Sequence, residues 1–146
     1  MFKTNKDTEK NGITLNYGDF YLVVGRAGGA NQKFKGAIKR IMDPHRRALQ
    51  TDTLSEKKVT ELMIQAYAES NVYDWGYKAN PEDKDFIAGK FLAKDDQGND
   101  VVLDLNRDNI IKVFTDLPDL FSDVQEQAGK VSLFRDEITD EDAKNL

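Results

Sequence analysis

At 146 residues the chain is sized for one domain, 32% of it is charged, and its net charge is −5. It contains no cysteine, which excludes disulfides, thiolate metal sites and thiol catalysis. The acidic balance argues against a general nucleic-acid surface, which needs cations to release counterions.

The N-terminal stretch MFKTNKDTEKNG lacks the apolar middle of a signal peptide, and no apolar run approaches the ~18 residues of a membrane span. Residues 1–12 are polar and read as a flexible N-terminus. Ile13–Asn16 alternates, Tyr17-Gly18-Asp19 reads as a turn, and Phe20–Gly25 is β-rich, which predicts a hairpin. Gly25-Arg26-Ala27-Gly28-Gly29 then reads as a flexible joint. As a phosphate loop it lacks both the lysine spacing and the parallel βαβ context.

A helix is predicted from Ala30 or Asn31, with Asn31 as N-cap and Phe34, Ala37, Ile38, Ile41 and Met42 on its apolar face. Lys33, Lys35, Lys39 and Arg40 occupy the other face. Asp43-Pro44 interrupts the pattern, and His45–Leu49 restarts it. His45 is the single histidine, and a residue beside two arginines at a helix start reads as surface rather than catalytic.

Thr53-Leu54-Ser55-Glu56 matches a capping box. The following helix places Val59, Leu62, Met63, Ala66 and Tyr67 on one face and is predicted to run toward Tyr73-Asp74-Trp75, with Gly76 as its stop. Phe86–Ala93 and Val101–Leu105 flank an acidic tip, Lys94–Asp100, and read as a second hairpin. A calcium loop is a poorer reading of the tip, because position twelve counted from Asp95 is Asn106 and the flanks are strands.

Asn106–Arg135 reads as two amphipathic helices hinged at Leu117-Pro118. Ile110, Ile111, Val113 and Phe114 lie on the first. Asp116 is the expected cap of the second, whose stripe is Leu120, Val124, Ala128 and Val131, with Phe121 and Phe134 beside it. The segment holds no histidine or compact carboxylate array, so it is expected to dock rather than react. Residues 136–146 read as an acidic flexible tail. The predicted organisation is a single α+β domain over residues 13–135, mainly helical, with an N-terminal β-hairpin and a second hairpin before two C-terminal helices. The chain is expected not to be an enzyme and to use no cofactor and no metal.

Arg26–Phe34 and Pro44-His45-Arg46-Arg47 resemble the R-A-G-x-A-N-x-x-F lead-in to the first helix and the P-x-R-R step of phage tail assembly chaperones of long, flexible-tailed (siphovirus-type) phages. Glu61–Trp75 is similar to that family's helix ending in D-W or G-W. Asn106–Asn109 followed by Phe114–Phe121 resembles its R-E-N element and L-P-D-L-F hinge, with Arg107-Asp108 replacing the usual R-E. The family's short turn between Trp75 and Asn106 is here the longer Phe86–Leu105 segment.

The resemblance implies a protein that binds the tape measure protein in the host cytoplasm, keeps its apolar helices soluble, helps recruit the tail tube protein, and is absent from the mature virion. It also implies a longer frameshifted product diverging near residues 136–146. The expected contacts are Trp75, Leu117, Leu120, Phe121 and Val124, packing helix-in-groove; the same five residues could equally face the protein's own core. Self-association is a further expectation, while nucleic acid and membrane are not expected partners. The alternative reading is a small acidic phage protein that mimics nucleic acid to inhibit a host defence enzyme.

Overall fold

The computed structural model describes residues 5–134. The expected acidic tail 136–146, residues 1–4 and the Val131 side chain lie outside what it describes. Three layers of contact build the fold: a four-stranded antiparallel sheet, a group of helices packed on it, and a separate two-stranded ribbon.

The sheet has the order β1-β2-β3-β4, formed by Ile13–Asn16, Phe20–Val24, Val72–Tyr77 and Ile87–Ala88. Leu15 pairs with Leu22, and Leu22 with Trp75. The register shifts between Val23 and Val24, so that Val24 opposes Val72. A bulge of this kind re-aims side chains, and Val72 and Trp75, an odd number of positions apart, are both buried as a result.

The N-terminal hairpin and both C-terminal helices follow the pattern read from sequence. Asn31 caps α2 (Gln32–Met42), its side chain accepting from Phe34 N at 3.3 Å. Pro44 sits in a 3-10 turn, Asp43–His45, and α3 (Arg46–Gln50) follows. The ribbon is β5 (Lys90–Lys94) and β6 (Asp100–Asp104), turned at the expected tip, but the expected arm Phe86–Ala93 is split, because Ile87–Ala88 pairs with β3 in the larger sheet instead. Helices α5 (Arg107–Asp116) and α6 (Pro118–Gly129) meet at Leu117, whose φ −121°, ψ 73° lies outside the helical region that a following proline disfavours.

Four further local expectations are corrected. Within the expected flexible terminus, Lys6–Asn11 forms a short helix, α1. It is capped by Asn5 and pinned by Glu9, which is buried against Arg26 and the Ala30 amide. Helix α4 (Glu56–Ser70) is capped by Ser55, whose Oγ accepts from Lys58 N at 3.1 Å. Thr53 instead donates to Ala48 O and closes the turn after α3.

Helix α4 also stops at Ser70, short of Trp75. Asn71 leaves helical geometry and donates to Gly25 O at 2.9 Å, and Val-Tyr-Asp-Trp-Gly-Tyr, rich in strand-favouring residues, pairs with β2. Finally, Asp116 does not cap α6. It ends α5 and accepts from Lys112 Nζ at 2.6 Å, while Pro118 at the first helical position removes one donor that would need a cap.

The core lies where α2, α4, α5 and α6 meet the sheet. Phe34, Tyr67, Phe121 and Phe114 form a chain of ring contacts with centroids 5.0–5.3 Å apart. Such edge and tilted contacts add to the burial of each ring. The ribbon is fastened from within by Phe91, whose ring lies 4.9 Å from Trp75 and 5.2 Å from Phe20.

Candidate docking cleft

The buried joint around Gly25–Asn31 sets the frame for any surface. Asn31 Nδ2 donates to Arg26 O (2.9 Å) and Asn71 Oδ1 (2.8 Å), and Asn71 Nδ2 donates to Gly25 O. A Cβ at Gly25 would collide with Asn31, Asn71 and the Tyr73 hydroxyl, so only glycine lets the loop pass this close. The R-A-G-x-A-N stretch is therefore a structural knot that joins β2, α2, α4 and β3, with its polar groups satisfied internally.

A second knot orders the helices. Arg107, of the R-E-N-like element, donates from Nε to Glu69 at 3.1 Å, and Arg40 pairs with the same carboxylate from α2. Burial acts to raise the Glu69 pKa, but the hydrogen bonds from Arg40 and Arg107 outweigh it and hold the carboxyl below its usual range. One acid thus ties α2, α4 and α5 together.

The five residues expected to contact a partner divide sharply. Trp75 and Val124 are fully buried and Phe121 nearly so. Trp75 sits between the sheet and the ribbon, and Phe121 closes the aromatic chain against Tyr67. These three are core, because the β3 pairing and the hinge turn their faces inward. The Trp75 Nε1 has no hydrogen-bond partner among the described residues. Leu120 is half-buried against the core, and Leu117, at 44% exposure, projects from the hinge.

Leu117 opens onto a cleft of about 760 Å³ between the β5–β6 ribbon and the α5–α6 hinge. Its apolar lining is Leu92, Ala93, Val113 and Leu117. Its rim carries Asp95, Asp96, Asp100 and Asp116, with Lys94 as the basic member. Asp95 is held in place by accepting from Gln97 N and Asn99 N, both at 2.9 Å. The Lys112 ammonium is pushed above its usual pKa, first by its hydrogen bond to Asp116 and further by the charges of Asp96 and Asp95. The rim thus presents a net negative field over an apolar floor.

Leu92 was not singled out by sequence reasoning, although a signal was present. β5 reads Lys-Phe-Leu-Ala-Lys and β6 Asp-Val-Val-Leu-Asp, apolar on both faces. Continuous apolar character belongs to strands covered on two sides. Here Phe91 and its partner Leu103 face the core, while the opposed pair Leu92 and Val102 stay 41% and 47% exposed. The outer face of the ribbon therefore holds one exposed apolar pair, Leu92 and Val102, between the Lys90–Asp104 and Lys94–Asp100 ion pairs. The groups bordering the cleft suit docking of an apolar, basic segment.

A family model described as YdaY prophage protein matches residues 29–145, most of the chain, and the chain belongs to that family. No curated protein and no solved structure matches it.

Proposed function

We propose that this prophage protein is a tail assembly chaperone that binds the tape measure protein in the host cytoplasm, without catalysis. Through that contact it keeps the long apolar helices of its partner soluble, helps recruit tail tube protein, and leaves before the virion is finished. The observation that carries the reading is the acid-rimmed cleft with Leu92 and Leu117 exposed on its lining. A helix with apolar anchors one turn apart and lysine or arginine beside them fits it by shape and charge. The family membership supplies the phage context, and the tail-chaperone resemblance of Arg26–Phe34 and Phe114–Phe121 supplies the partner.

Nucleic-acid mimicry is the weaker reading. It calls for an acidic face unbroken by cations, whereas Lys90, Lys94 and Lys112 pair with Asp104, Asp100 and Asp116 across this region. Co-expression tests the proposal. A fragment of the tape measure protein from the same prophage should move from the insoluble to the soluble fraction when this chain is present. Equal insolubility with and without it would refute chaperone function, and copurification with a host nuclease would favour mimicry.

A further inference from the structure

Two adjoining hollows lie where α1 meets the start of α2, and neither belongs to the docking cleft. The first, of about 610 Å³, is lined by Lys6, Lys10 and Arg26; the second, of about 600 Å³, by Lys10, Lys33 and Tyr73. They share Lys10, Ala30 and Gln32 and so form one furrow. Its charge is one-sided. Glu9 is the single acid in the lining, and it is buried, with its carboxylate taken up by Arg26 at 3.2 Å and by the Ala30 amide. Lys6, Lys10 and Lys33 are exposed, and none has an ion pair among the described residues. Cations gathered on one hollow raise its potential and attract an anionic ligand.

The chain itself brings acid to that place. Phe134 is fully buried, and its carbonyl accepts from Asn5 N at 2.6 Å, at the cap of α1. The chain therefore leaves the described fold beside the first turn of α1, where Lys6 stands. After Arg135, the stretch Asp136–Asp142 holds five acids and no base. Helix α1 is about 9 Å long, whereas seven extended residues reach roughly 23 Å. The stretch is long enough to follow α1 from Lys6 to Lys10 and to pass on over the second hollow.

We infer that Asp136–Asp142 docks along this furrow of its own chain, with its carboxylates set against Lys6, Lys10 and Lys33. Exposed ion pairs are individually weak, but a tethered segment has an effective concentration on the order of millimolar, so several together hold it. The furrow is thus an acidic-peptide site plugged in cis. An acidic segment of another protein reaches these lysines only by displacing the plug.

The full chain tests this with no other protein present, so the result is independent of the partner proposed above. A carbodiimide, which condenses a lysine amine with a carboxylate in contact, should join Asp136–Asp142 to Lys6, Lys10 or Lys33. In a mixture of isotopically light and heavy chains, the joined peptides should come from one chain. Neutralising the acids together (Asp136→Asn, Glu137→Gln, Asp140→Asn, Glu141→Gln and Asp142→Asn) should raise the acetylation rates of Lys10 and Lys33 at least about threefold and leave the exposed Lys57 unchanged. The unaltered chain should show the same rise near 1 M salt, where screening shortens to ~3 Å. Circular dichroism checks that the neutralised variant folds, and the salt series on the unaltered chain decides the matter if it does not. Acids of this stretch joined to no lysine of the furrow, links only between different chains, or Lys10 and Lys33 rates indifferent to the neutralisation and to salt would overturn the inference.

Discussion

Replacing Leu92 and Leu117 together by alanine should weaken the proposed binding of the tape measure protein while leaving the fold intact. The magnitude follows from exposure. Full burial of a leucine side chain stabilises by about 1.5–3 kcal/mol. Leu92 and Leu117 keep 41% and 44% of their surface in water, so only that share remains for a partner to cover. Allowing for the methyl group that alanine retains, the pair should lose about 1–2 kcal/mol of binding, or roughly 5–30-fold in Kd. The stability change should stay within about 0.5 kcal/mol, as for other exposed positions. Anisotropy titration of a labelled tape measure fragment measures the first quantity, and urea unfolding the second. Phe121→Ala supplies the contrast, since truncating a buried phenylalanine costs about 3–5 kcal/mol of stability. An unchanged Kd in the double variant would mean that the cleft is not the binding site. A large loss of stability would mean that these leucines belong to the core.

Other consequences follow from the buried network and from the titrating groups. Asn31→Ala removes the α2 cap and strands the buried acceptors Asn71 Oδ1 and Arg26 O. It should cost about 2–4 kcal/mol in urea unfolding, and a loss below about 1 kcal/mol would count against the knot. Glu69 has a folded pKa below its unfolded one, so its contribution is present above the unfolded value near 4.5 and is lost as pH falls through the folded value. Glu69→Gln should therefore destabilise at pH 7 and converge with the unaltered protein in acid; an equal deficit at both ends would refute the charge pairing.

Burial pushes the Tyr67 hydroxyl up to about 12, so the neutral form is favoured by folding. Stability should fall as pH rises from about 10 toward 12, and the fall should be shallower in Tyr67→Phe. Trp75 is the only tryptophan and is fully buried. Its fluorescence should resist acrylamide and should not shift when a partner binds, whereas a shift on binding would return it to the contact surface.

Local pattern was enough to locate most elements. Asn31 and the apolar spacing behind it specify α2, Pro44 breaks the chain between α2 and α3, and Leu117-Pro118 fixes the hinge. Each of these is a short-range effect, a cap or a steric restriction between neighbours, which is why the sequence carries it. The second hairpin was legible for the same reason, from two apolar runs around a polar tip.

The choices that the sequence left open were made at a distance. Val72–Tyr77 can extend a helical stripe or pair as a strand, and the partner β2, about fifty residues earlier, decides for the strand. That pairing buries Trp75 and removes it from the surface. Phe121 and Leu117 sit four residues apart on one apolar segment. Packing against Tyr67 and Phe114 takes the first inward, and the non-helical hinge leaves the second in water. The cleft exists only because the ribbon, held down by Phe91, comes to lie beside that hinge. The sequence by itself determined which residues were apolar and where helices began and broke. Only the tertiary structure decided which of those apolar residues were left over for a partner, because exposure is what remains after every long-range contact has been made.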